Sequence, residues 1–77
     1  MKQEFYGEVD CKGEAIRYYL LNVPGNYGIC VEYCGEQAEL PGLTGERACA
    51  EKLLSIMMRG RVTPITAQDV AEDFLHG

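Results

Sequence analysis

The spacing of large apolar residues changes once along the chain, and that change limits what the chain can fold into. Up to Leu40 they recur at alternate positions, in short runs broken by glycine; beyond Thr44 they recur every three or four residues. A period of two marks a strand with one buried face, and a period near 3.6 marks an amphipathic helix. Strands followed by helices, rather than alternating with them, favour an antiparallel sheet over a parallel βαβ arrangement. The expected class is therefore α+β: an antiparallel meander of three to four strands, then two helices packed on one sheet face. Seventy-seven residues hold one such core and no second. The expectation is a single domain over residues 1–77, with strands across about 3–40 and helices across about 45–59 and 67–76.

Within residues 3–9, Phe5, Gly7 and Val9 alternate with Glu4, Tyr6 and Glu8. Asp10-Cys11-Lys12-Gly13 follows as a four-residue turn, which would pair Gly7 with Ile16 and Phe5 with Tyr18. The second strand turns Ile16, Tyr18 and Leu20 inward, and Arg17, Tyr19 and Leu21 outward. After Pro24-Gly25 the third strand sets Tyr27, Ile29, Val31 and Tyr33 on the inner side. Its register is fixed by the need to keep that set buried, because a one-residue slip would expose it. A tight turn at Gly35-Glu36 returns a short fourth strand, with Ala38 opposite Tyr33 and Leu40 opposite Val31.

The apolar sheet face needs a cover. From an N-cap at Thr44, helical spacing gathers Cys49, Ala50, Leu53, Leu54, Ile56 and Met57 on one arc. Gly60 suits the position just past the helix end. Thr66 and Asp69 match a T-x-x-D capping box, with Ile65 able to staple onto Val70. Ala67, Val70, Ala71, Phe74 and Leu75 then form the inner stripe of the second helix.

This ending imitates a helix-turn-helix but carries the wrong charge for one. The second helix would present Asp69, Glu72 and Asp73 to phosphates, where DNA readers place Arg, Lys, Asn or Gln. The net charge is −5, and such a field repels nucleic acid and anionic membranes. Arg47, Lys52, Arg59 and Arg61 offset it only around the first helix. The first eight residues already contain acids and lack the apolar run of a secretory signal. No window approaches the roughly 18 apolar residues of a membrane span. A cytoplasmic protein with reduced thiols is the expectation.

No constellation carries chemistry. Cys11, Cys30, Cys34 and Cys49 include no C-x-x-C pair, and Cys30 and Cys34 would lie about 13 Å apart along one strand. That is too far for a disulfide or a shared zinc. Ser55 is the only serine and sits outside any G-x-S-x-G, while the nine glycines form no phosphate-binding loop. No catalytic, cofactor-binding or metal site is expected. The outer sheet face holds more interest, since Tyr6, Tyr19, Leu21 and Cys30 would be exposed there together, and aromatic residues are enriched in protein interfaces. Met58, beside Leu54 on the polar side of the first helix, is a lesser feature of the same kind.

Tyr27-Gly28-Ile29, Gly60-Arg61-Val62-Thr63-Pro64 and the ending Asp69-Val70-Ala71-Glu72-Asp73-Phe74-Leu75 resemble a group of very small proteins of unknown function from Firmicutes, especially clostridia. The resemblance covers most of the chain and implies a bacterial intracellular protein without an assigned site. The expected function is a small non-catalytic protein-interaction or regulatory module, binding a protein partner or a second copy of itself. The alternative is a nucleic-acid-associated regulator using Arg47, Lys52, Arg59 and Arg61.

Overall fold

The computed structural model describes residues 2–76. Four strands, β1 (Lys2–Cys11), β2 (Glu14–Val23), β3 (Asn26–Tyr33) and β4 (Glu36–Thr44), are followed by helices α1 (Arg47–Arg59) and α2 (Pro64–His76). Every neighbouring pair of strands is antiparallel, in the order β1-β2-β3-β4. This is the α+β meander that the spacing predicts, with both helices on one face.

All three hairpin turns have two residues. Lys12 and Gly13 have φ of 53° and 85°, and Cys34 and Gly35 have φ of 51° and 81°. Positive φ at both central positions is the type I′ geometry, whose twist matches that of the strands it joins. The expected four-residue turn at Asp10–Gly13 is thus replaced by Lys12-Gly13, with Cys11 opposite Glu14 and Val9 opposite Ile16. Likewise Cys34-Gly35, not Gly35-Glu36, makes the last turn, and places Ala38 opposite Val31 and Leu40 opposite Ile29.

Two bulges then re-aim side chains. In β1 the register shifts between Phe5 and Gly7, so that Gly7 stands opposite Tyr18 while Phe5 stands opposite Tyr19. An extra residue in one strand reverses the facing of what lies beyond it. Phe5 therefore leaves the inner face, whereas Gly7 stays on it under Met58: a Cβ there would meet the Met58 Cε at 2.8 Å. In β4, three residues separate Leu40 from Thr44, where β3 has only Gly28 between Ile29 and Tyr27. The excursion runs against Gly28, where a Cβ would collide with the Leu40 carbonyl oxygen and lie 2.6 Å from Pro41 Cα. Only glycine fits. Pro41 is accommodated because β4 is an edge strand.

The core lies between the inner sheet face and the helices. Ile16, Tyr18, Leu20, Ile29 and Val31 pack against Ala50, Leu53, Leu54, Met57, Ala67 and Ala71. The inner set of β2 and β3 is the one read from their alternation. On α1 the arc is narrower than expected, because Cys49 is half-buried and Ile56 exposed. Met58 packs against the core and is no surface feature.

The helix ends differ from expectation. Thr44 closes β4, and its hydroxyl accepts a hydrogen bond from the Glu46 amide at 3.1 Å, while α1 begins at Arg47. Past α1 it is Arg61, at φ 50°, that takes the left-handed conformation, with Gly60 at φ −90°. The Val62 amide donates to Met57 O at 3.0 Å and the Arg61 amide to Met58 O at 3.2 Å. This is the paired closure of a Schellman end. α2 begins at Pro64, before the expected Thr66 cap, and the Thr66 amide donates to Thr63 O at 3.2 Å. Proline suits a first helical position because its missing N–H has no partner there anyway. Ile65 is 78% exposed and makes no staple.

Candidate functional site

The sheet face turned away from the helices is assembled by register. One row across the four strands reads Phe5, Tyr19, Cys30 and Glu39; the next reads Glu8, Arg17, Glu32 and Gln37. Phe5 and Tyr19 meet edge to face, their ring centroids 5.7 Å apart and their planes at 70°. Phe5 is 59% exposed, the half-buried Tyr19 supports its ring, and Tyr6, the bulged residue beside it, is 38% exposed.

The four residues expected at the surface of this face have different fates. Tyr6 and Tyr19 remain at the surface, Tyr19 half-buried opposite Phe5 and Tyr6 at the bulge next to Phe5. Leu21 is corrected: it is fully buried, and so is Cys30. Leu21 lies opposite Gly28, and there the bulged β4 backbone folds over the outer face. Leu21 therefore has no access to a partner. Phe5 takes its place as the most exposed aromatic of the face. Its position follows from the two-residue turn and the bulge. Neither has a clear signature in the sequence: lysine at the first turn position does not advertise positive φ, and the bulge leaves no periodic trace.

Acids stand in the row of the aromatic pair and in the row beside it. Arg17 stands 3.6 Å from both Glu8 and Glu32, all three side chains being well exposed, so these are weak, screened pairs. Glu39 and Asp10, both exposed, make no ion pair among the described residues. The field of Glu39 and Glu32 reaches inward. The Cys30 thiol is pushed up to about 11 by burial and then by Glu39 and Glu32.

The cations of the first helix do not form the patch that their sequence positions suggest. Arg47 donates to Glu4 and to Glu51, each at 3.0 Å, and the bond from Arg47 lowers the Glu4 pKa. The Arg61 Nε donates to the Asp10 carbonyl at 3.1 Å, at the sheet end of the molecule. Lys52 and Arg59 remain exposed on α1.

Two shallow hollows flank the β3–β4 turn, and both include Tyr33 and Cys34. One of about 210 Å³ is polar, with Glu14, Arg17 and Glu32 in its wall. The other, about 190 Å³, is bounded by Glu36, Thr63, Pro64 and Ile65. Tyr33 is pinned: its hydroxyl donates to the Cys11 carbonyl at 3.2 Å. That hydroxyl is pushed up to about 12 by hydrogen bonding toward Cys11, then by desolvation and by Cys34. Neither hollow brings a base to a nucleophile. All four cysteines are free thiols, Cys34 exposed and Cys30 buried. No three His, Cys, Asp or Glu side chains converge on a metal-sized site among the described residues. No helix there is long and apolar enough to cross a membrane.

A family of unknown function, DUF6514, matches the chain over residues 3–77. No curated protein and no solved structure matches it.

Proposed function

The chain belongs to the DUF6514 family, and from its own surface we propose that it is a small non-catalytic protein-interaction module acting through the outer sheet face. The observation that carries this reading is the exposure of Phe5, at 59%, beside Tyr6 and on the ring of Tyr19. A large aromatic ring left in water on a rigid sheet, held by an edge-to-face partner, is preorganised as an anchor. Nucleic-acid binding through α1 is weaker support for a function, because Arg47 is occupied by two carboxylates and Arg61 points to another surface.

The test compares the parent with Phe5→Ser and Tyr6→Ser. Both side chains lie outside the helix-side core, so the melting temperatures of the variants should match that of the parent. Sedimentation and affinity capture from the native cell, at low and high salt, should show partners of the parent that both variants lose. Recovery of the same partners by all three proteins would mean the face is merely solvated.

A further inference from the structure

The outer face carries a charge as well as an anchor, and the two together specify what fits it. In the rows of Phe5 and Tyr19 and of their neighbour Arg17 stand Glu8, Glu32 and Glu39, with Arg17 the one cation of these two rows. Arg17 is divided between Glu8 and Glu32 at 3.6 Å each, so it neutralises one carboxylate's worth of the two. The exposed Glu39 sits in the same row as the aromatic pair, across Cys30. A partner lying on Tyr19 would reach it without leaving the face.

Resting on the interaction reading above, we propose that the occupant is a cationic segment of another protein. One apolar or aromatic side chain of it packs on Phe5 and Tyr19, and its Lys or Arg side chains lie over Glu39, Glu32 and Glu8. Charge complementarity selects this occupant over the others. A second copy docked face to face would set this acidic surface against itself, and like-charge juxtaposition is how interfaces reject partners. The exposed apolar area is also narrow, two rings at one edge of the sheet, whereas a stable dimer buries about 800 Å² on each side. Nucleic acid and anionic lipid are repelled by the same carboxylates. A segment with one anchor and flanking cations needs neither a large apolar footprint nor a neutral surface.

The experiment measures fluorescence anisotropy of three synthetic peptides with the full chain. They share one phenylalanine and two leucines and carry net charges of about +4, zero and about −4. Proteins tested are the parent, Phe5→Ser, Glu39→Lys, and Asp73→Lys on α2 as a reversal of equal charge elsewhere. The parent should bind the cationic peptide about tenfold or more tightly over the neutral one, with affinity falling as salt is raised. Glu39→Lys and Phe5→Ser should each weaken binding about tenfold, and Asp73→Lys by less than twofold. Equal binding of the neutral and cationic peptides would overturn the charge assignment while leaving the face an interaction surface. Undiminished binding by Phe5→Ser would overturn the face itself, and the reading beneath it. If the parent binds none of the three, the proposal fails. A parent dimer that Phe5→Ser dissociates would then make the second copy the occupant.

Discussion

The hydroxyl of Tyr18 donates to the backbone carbonyl of Val62 across 2.8 Å, and stands 3.2 Å from that of Met57. A residue at the centre of the sheet thereby holds both the last turn of α1 and the connection to α2. Tyr18 is fully buried. Tyr18→Phe keeps the ring but takes the hydroxyl from the Val62 carbonyl, and leaves Met57 O only the Val62 amide, which should cost about 1–2 kcal/mol. Thermal and urea unfolding should show it, with Tm lowered by roughly 4–8 °C for each kcal/mol in a domain of this size.

The same burial sets an alkaline limit. Burial pushes Tyr18 from 10.0 up to about 12, and Cys30 from 9.0 up to about 11. Above the ordinary values the unfolded chain has lost protons that the folded chain still holds, so folding is penalised as pH rises. The contribution of Cys30 is complete below pH 9 and lost towards 11; that of Tyr18 is complete below pH 10 and lost towards 12. Urea midpoints measured from pH 8 to 12 should decline across those windows. Tyr18→Phe should flatten the upper part of the decline and Cys30→Ala the lower. A midpoint independent of pH in the parent would contradict both assignments.

Gly28 and Gly7 offer a contrast between two close approaches. At Gly28 a methyl group meets the backbone of Leu40 and Pro41; at Gly7 it meets the far end of the flexible Met58 side chain. Gly28→Ala must displace β4, and should destabilise by about 3 kcal/mol or prevent folding. Gly7→Ala should cost under about 1 kcal/mol, since Met58 can change rotamer. Equal losses in denaturant titrations would show that β4 yields as readily as a thioether.

The type I′ turns leave room for improvement. Lys12 and Cys34 occupy left-handed positions that asparagine tolerates better than other side chains. Lys12→Asn and Cys34→Asn should each stabilise by a few tenths to about 1 kcal/mol. Combined, they should add, because the turns are separate. A fall in Tm for either would mean that the replaced side chain makes a contact worth more than the strain.

Thiol chemistry should follow exposure. In the folded protein an alkylating reagent should modify the exposed Cys34 first, the half-buried Cys11 and Cys49 more slowly, and Cys30 only on unfolding. Time-resolved intact mass with peptide mapping reads this order. Protein unfolded without reductant should take up four labels. Early labelling of Cys30 would place it at the surface.

At the entry to α2, Ile65→Asp should be harmless or mildly stabilising. Ile65 is 78% exposed and lies in the first turn, where an acid faces the positive end of the helix dipole. A clear loss of Tm would restore the staple onto Val70 that the sequence pattern suggests.

The inner sets Ile16/Tyr18/Leu20 and Ile29/Val31 were legible because burial of one face imposes alternation, and their occupants are large. The arc of α1 was legible for the same reason at the helical period. Turn positions were harder. Lysine and cysteine do not advertise positive φ, so Lys12 and Cys34 gave no sign that the turns were two residues long. The bulges at Tyr6 and opposite Gly28 leave no periodic trace, and they decide the candidate site: one brings Phe5 to the outer face, the other closes it over Leu21. Pro64 did carry a signal, as a first-turn proline, but the T-x-x-D pattern two residues later competed with it. The acids around Tyr19 were visible as letters; their convergence depended on register.

The meander with its two-residue turns also has a consequence for synthesis. Each strand pairs with the one just before it, so almost every sheet contact joins residues close in sequence, and hairpins of this kind close within about 1–10 μs. The sheet can therefore form while the helices are still being made. Until α1 and α2 arrive, Ile16, Tyr18, Leu20, Ile29 and Val31 face water on a finished ribbon, the kind of surface that aggregates. The nascent chain is most vulnerable as the residues of α1 and α2 emerge, and slowed translation there, or truncation before Arg47, should yield insoluble rather than merely unstable protein.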